Sequence, residues 1–172
     1  YSQGFGVGNR KIELIGEGYF EVKRNEEVPF LVKTNSLLVK VLGTKFNFRD
    51  YPDDAEAVVS LSEGKVSLNN LLKKEKEAFL LSNERVVLNK KDGRMHVEHS
   101  TVANALQWTN GYLFFDEELL PDVVKELERS YNVKIQIASD TLNTFRFYGN
   151  FVHREQNIQE VLEALSATRK IH

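Results

Sequence analysis

From Lys11 to about His99, Val, Leu and Phe recur at alternate positions in short runs. Turn-forming residues interrupt the runs roughly every eight to twelve positions. Period-two alternation is what a strand with one buried face requires. The pattern predicts strands at Ile12–Leu14, Tyr19–Val22, Phe30–Lys33, Leu37–Leu42, Lys45–Tyr51, Ala57–Leu61, Lys65–Leu68, Ala78–Leu81, Glu84–Leu88 and Met95–His99. Phe46 and Phe48 fall on one face of their strand, Asn47 and Arg49 on the other. Turns are expected at Gly16-Glu17-Gly18, Tyr51-Pro52-Asp53-Asp54, Glu63-Gly64 and Lys91-Asp92-Gly93-Arg94, the last a hairpin signal. No segment here has helical length and period, so residues 1–100 read as an all-β sandwich or barrel-like domain.

Beyond His99 the texture changes. Residues 101–108 read as a weak helix or linker, and Gly111–Phe115 as a strand. Leu120, Val123, Val124, Leu127 and Tyr131 then mark one apolar helical stripe, with Pro121 in the first turn and Asp116, Glu117 and Glu118 ahead of it. Val133–Ile137 is the next expected strand and Phe145–Phe151 another. Asn157 followed by Glu160 is a capping box opening a second stripe of Ile158, Val161, Leu162 and Leu165. A shift of about 38 residues overlays the two halves, which makes residues 101–172 a small α/β domain built as a duplicated β-α-β unit. The closing strand of the second copy would begin at Ile171-His172, so the C-terminus is expected to be truncated. The absence of an initial methionine points to a trimmed piece of a longer chain.

Composition narrows the chemistry. The 172 residues are 41% hydrophobic and 28% charged, a globular balance. With 23 Lys and Arg against 25 Asp and Glu, the formal net charge is -2, which argues against general affinity for nucleic-acid backbones. The chain contains no cysteine, which removes disulfides, thiolate catalysis and Cys-ligated zinc. No apolar run reaches the roughly 18 residues of a membrane helix.

Candidate chemistry is sparse. In Met95-His96-Val97-Glu98-His99, alternation puts His96 and Glu98 on one face and His99 on the other, a poor metal site and an ordinary solvated strand face. Asp53-Asp54 suits a turn. No nucleophile elbow, phosphate loop or dinucleotide fingerprint occurs, and Gly4-Phe5-Gly6-Val7-Gly8 lacks the Lys-Ser or Lys-Thr of a phosphate loop. Neither an enzyme nor a cofactor is expected. Tyr112, Phe114, Phe145, Phe147, Tyr148 and Phe151 cluster in the second domain and read mostly as core. An exposed edge strand among them could accept a partner strand, and Phe147, Tyr148 and Phe151 are the candidate contact residues.

Several segments, taken in order, resemble the FecR family of anti-sigma factors and sigma regulators. They are Gly16-Glu17-Gly18-Tyr19-Phe20-Glu21-Val22, Pro29-Phe30-Leu31-Val32-Lys33-Thr34, Val41 to Arg49, Leu61-Ser62-Glu63-Gly64-Lys65-Val66, and Trp108 to Phe115. The resemblance covers nearly the whole chain. It departs at Lys73–Glu77, where the family usually has a glycine-containing turn, and before Tyr1, where further strands are usual. It implies that the second domain is similar to the short N-terminal domain of secretins and TonB-dependent proteins. It also implies a periplasmic fragment of a protein anchored in the inner membrane. The family's membrane helix and cytoplasmic sigma-binding segment would lie upstream of Tyr1. The implied partners are the signalling domain of a TonB-dependent outer-membrane transporter and, through the upstream segment, an extracytoplasmic-function sigma factor. The rival reading is a carbohydrate-binding β-sandwich using Tyr19, Tyr51 and Trp108 as a platform.

Overall fold

The computed structural model describes residues 10–99, 108, 111–153 and 155–168. The chain divides into two compact units, Tyr1–Leu106 and Gln107–His172.

Among its described residues, the first unit holds ten strands: β1 (Lys11–Glu13), β2 (Gly16–Glu21), β3 (Phe30–Lys33), β4 (Leu37–Val41), β5 (Lys45–Asp50), β6 (Glu56–Glu63), β7 (Lys65–Asn70), β8 (Ala78–Leu81), β9 (Glu84–Asn89) and β10 (Met95–His99). They form two five-stranded sheets, in the orders β1-β3-β4-β7-β8 and β10-β9-β6-β5-β2. The inward residues of both sheets make one apolar cluster, with Val32, Val39 and Leu68 from the first packed with Phe46, Phe48, Val59 and Leu88 from the second. This is a sandwich, and period-two alternation is the reason. β3, β4 and β7 bury alternate side chains, so the buried rows must face another sheet. Phe20 on β2 stacks on Phe46 at 5.0 Å between ring centroids and reaches Phe30 in the other sheet at 6.2 Å.

Among the described residues, all but one of the ladders in this unit are antiparallel. The exception is β1 beside β3, with Lys11 opposite Leu31, Ile12 opposite Val32 and Glu13 opposite Lys33. Gly16-Glu17-Gly18, expected as a turn, lies instead inside β2 and pairs with Asp50, Arg49 and Phe48. Only Gly16 keeps a turn-like backbone, at φ +101°. The expected hairpin at Asp92-Gly93 forms: Gly93 has φ +69°, and its N–H donates to the Asn89 carbonyl at 2.9 Å. The loop at Lys73–Glu77 is organised without glycine. Asn70 Oδ1 accepts from the backbone N–H groups of Leu72 and Lys73 at 3.0 and 3.1 Å, while Asn70 Nδ2 donates to the Gly93 carbonyl at 2.8 Å.

The second unit contains β11 (Tyr112–Leu119), α1 (Leu120–Tyr131), a 3₁₀ turn (Asp140–Thr144), β12 (Arg146–Val152) and α2 (Ile158–Thr168). The two strands form an antiparallel two-stranded sheet. Val123, Leu127, Val161 and Leu165 from the helices cover one face of it, meeting Leu113, Phe115 and Phe151. The helical stripes thus fall where the periodicity puts them. The capping box is complete: Asn157 Oδ1 accepts from the Glu160 N–H at 3.1 Å, and Glu160 Oε2 accepts from the Asn157 N–H at 2.9 Å.

Two expectations are corrected here. Val133–Ile137 is not a strand. Its backbone is bound locally instead, with the Ile135 N–H donating to Glu128 Oε1 at 2.8 Å and Ile135 resting against the core. A closing strand is therefore missing from the first β-α-β copy, while residues 171–172 of the second copy lie outside the described residues, as do 101–107 of the expected linker helix. Second, Glu118 is not a helix-leading acid. β11 runs on to Leu119, Glu118 pairs with Phe147, and Asp122 is the acid of the first turn. Pro121 stands in the first turn as expected, and the helix opens on Leu119 with no side-chain cap, because the strand feeds directly into it.

Candidate functional site

The candidate contact residues sit on β12, whose alternation separates them. Phe151 points inward, only 6% exposed, with its ring 6.1 Å from that of Phe115. Phe147 is half-buried against the same core. Tyr148 points outward and is 57% exposed. Strand geometry makes this split unavoidable, since residues at odd spacing lie on opposite faces. The three side chains therefore do not form one surface.

The ladder shows what accompanies Tyr148. On β11, Tyr112 is opposite Val152, Leu113 opposite Phe151, Phe114 opposite Asn150 and Phe115 opposite Gly149. Leu113 and Phe115 belong to the core, so Tyr112 and Phe114 share the outward face with Tyr148, at 39% and 43% exposure. Gly149 makes the core side fit: a Cβ there would lie 2.7 Å from the Phe151 ring. The outward face is thus a row of aromatic side chains over a two-stranded sheet whose other face is occupied by both helices. Tyr112 and Phe114 read as core in the sequence. The signal that places them outside is their register with Asn150 and Val152, which a single strand does not reveal.

A bulge lies between Phe115 and Glu118. Glu117 takes φ +56° there, a left-handed conformation uncommon for a residue with a side chain. The conformation is held from across the sheet. The Tyr148 hydroxyl donates to Glu117 Oε1, and Arg146 Nη1 donates to the Glu117 carbonyl at 2.5 Å. The bulge therefore fixes one edge of the aromatic face.

The competing sites resolve into structure. Glu98 is shared by Arg85 at 3.1 Å and His96 at 3.6 Å, and no cluster of metal-ligating side chains occurs among the described residues. Asp54 is bound by Arg49 Nε at 3.0 Å within its turn. Tyr19 and Tyr51 are half-buried in the first unit, at positions about 13 Å apart along their sheet. The Tyr51 ring lies under the Arg49 guanidinium, and Trp108 belongs to the second unit. Burial, with Glu21 nearby, raises the Tyr19 phenol above its usual range.

Residues 2–67 match the profile described as FecR protein, and residues 112–172 match FecR, C-terminal. Two crystal structures of a candidate anti-sigma factor from Parabacteroides distasonis ATCC 8503, at 1.65 and 2.50 Å resolution, superimpose with a TM-score of 0.86 at 30% identity. The similarity covers 100% of this chain and 79% or 78% of theirs. The chain belongs to the FecR family. No curated protein sequence is detectably similar. The FecR signatures now have places in the fold: Gly16–Glu21 is β2, Phe30–Lys33 is β3, and Glu63-Gly64 joins β6 to β7. Gly43, in another signature, allows a close approach, because a Cβ there would lie 2.5 Å from Arg24 Cα.

Proposed function

We propose that this chain is the signal-receiving part of a transmembrane anti-sigma regulator, working in the periplasm of a Gram-negative bacterium. A TonB-dependent outer-membrane transporter loads its ligand and presents its signalling domain. The second unit binds that domain, and the signal passes inward to an extracytoplasmic-function sigma factor held by a cytoplasmic segment of the full-length protein. The supporting observation is FecR family membership over both units, together with a structural relative described as a candidate anti-sigma factor. Both units carry aromatic and apolar surfaces, and the acids the sequence singled out are tied up structurally, Asp54 by Arg49 and Glu98 by Arg85, which suits binding and relay better than catalysis.

In this reading the docking surface is the outward face of Tyr112, Phe114 and Tyr148. Aromatic rings bury large area at low entropic cost, which makes them effective anchors. The coupling required of such a relay is modest, about 1–3 kcal/mol. Calorimetric titration with the signalling domain of the neighbouring transporter tests the proposal. Micromolar or tighter binding that Tyr148→Ala weakens supports both partner and site. Unchanged affinity in Tyr148→Ala removes the site, and absence of binding to the folded chain removes the partner.

A further inference from the structure

The outward face of the β1-β3-β4-β7-β8 sheet is used by nothing described so far. Its composition follows from register. One cross-strand row runs Lys11, Leu31, Lys40, Ser67, Phe79. The next runs Glu13, Lys33, Leu38, Asn69, and Lys65 stands opposite Leu81 on the other side. Lysines and apolar side chains therefore alternate across five strands, as on a checkerboard.

Two properties make this face unusual. Lys11, Lys33, Lys40 and Lys65 are exposed, and none has an ion-pair partner among the described residues. On the opposite sheet the comparable cations are engaged, Lys45 by Glu63 at 3.2 Å and Arg85 by Glu98 at 3.1 Å. Carboxylates near the lysine face include Glu13, Glu77, which accepts a hydrogen bond from the Ser67 hydroxyl, and Glu84, which accepts from the Leu81 N–H at 2.8 Å. The second property is apolar exposure. Phe79 and Leu81 on edge strand β8 are 51% and 56% exposed, and Lys65 Nζ sits 4.5 Å from the centre of the Phe79 ring.

We propose that this face binds an anionic lipid surface. The sheet is broad, and its cations are spread over several strands instead of converging on one point. Lysine ammoniums suit a diffuse layer of headgroup phosphates, whereas a specific acidic peptide calls for the forked geometry of arginine, which this face lacks. Phe79 and Leu81 project where an aromatic and an aliphatic side chain enter the headgroup boundary, while the lysine stems lie along the sheet with their charges outward. The chain's net charge of -2 makes the attraction local to this face and sensitive to salt.

Flotation of the full chain with vesicles of phosphatidylglycerol and phosphatidylethanolamine tests this, with phosphatidylcholine vesicles as reference. The expected result is salt-sensitive binding to the anionic vesicles alone. Lys33→Gln/Lys40→Gln/Lys65→Gln lowers the partition by on the order of 100-fold, about fivefold per lysine. Phe79→Ser/Leu81→Ser weakens binding without abolishing its salt sensitivity, and Lys45→Gln on the opposite sheet leaves it unchanged. Unaltered circular dichroism of each variant shows that loss of binding is not loss of fold. Equal partition to phosphatidylcholine, no binding to anionic vesicles, or lysine-dependent binding of polyglutamate without vesicle binding would each overturn the proposal.

Discussion

Lys90 Nζ lies 2.6 Å from Asp50 Oδ1, an ion pair whose side chains are 17% and 3% exposed. Lys90 also donates to the Tyr51 carbonyl. Asp50 Oδ2 accepts from the Ser36 N–H at 3.3 Å, in the turn between β3 and β4. The pair thus ties the end of β5 in one sheet to a turn of the other and to the segment after β9. Lys90→Met would leave a buried carboxylate with one weak partner, and breaking such a pair costs about 3 kcal/mol. Urea denaturation of Lys90→Met should show that loss, and Asp50→Asn/Lys90→Met should recover part of it, because the uncompensated charge is then gone.

Gly64 is the second point of sensitivity. It sits between β6 and β7 at φ +101°, and an added Cβ would lie 2.7 Å from Thr44 Cγ2 and 2.9 Å from the Gly43 carbonyl oxygen. Backbone strain and a backbone clash act together, so Gly64→Ala should destabilise the first unit by more than about 1 kcal/mol. A midpoint in urea equal to that of the unaltered chain would contradict this.

The split of the β12 aromatics predicts two different phenotypes. Phe151→Ala empties a core position against Phe115 and should cost about 3–5 kcal/mol, read as early melting of the second unit. Tyr148→Ala removes an exposed ring and its hydrogen bond to Glu117, at a cost of about 1 kcal/mol or less. Hydrogen exchange, which resolves the two units separately, is the suitable measurement.

Tyr131 gives the second unit a pH dependence. Its hydroxyl donates to the Gln156 carbonyl at 3.0 Å, and burial, with Glu160 nearby, raises its ionisation above the ordinary 10.0. The folded state therefore favours the neutral phenol. Its contribution is fully present below the unfolded value of 10.0 and is lost as pH rises through the higher folded value. Ultraviolet titration should show tyrosines ionising late, and Tyr131→Phe should reduce that late fraction to the share of Tyr19 and flatten the alkaline loss of stability.

Much of the first unit was legible because its strands are local patterns. Phe46 and Phe48 against Asn47 and Arg49 is a two-residue rhythm that only a strand satisfies, and Gly64 and Gly93 stand in turns where φ is positive. The capping box of Asn157 and Glu160 was readable for the same reason: both partners lie within one turn of helix. Val133–Ile137 shows the limit of such reading. Its composition favours a strand, but the pairing decision belongs to its surroundings, and Glu128 supplies the hydrogen bond that a ladder would have supplied.

The sequence by itself determined most strands of the first unit, which helical faces are apolar, and, through five separated signatures, the family. Tertiary structure alone decided that β1 lies parallel to β3, that Tyr112, Phe114 and Tyr148 share an open face while Phe151 is enclosed, and that four lysines from four strands share a face with no ion-pair partner among the described residues. The physical reason is the range of the interactions. Backbone propensity and periodicity act within a few residues, whereas a surface is assembled from strand register and sheet order, which bring distant residues side by side and leave no local mark on any of them.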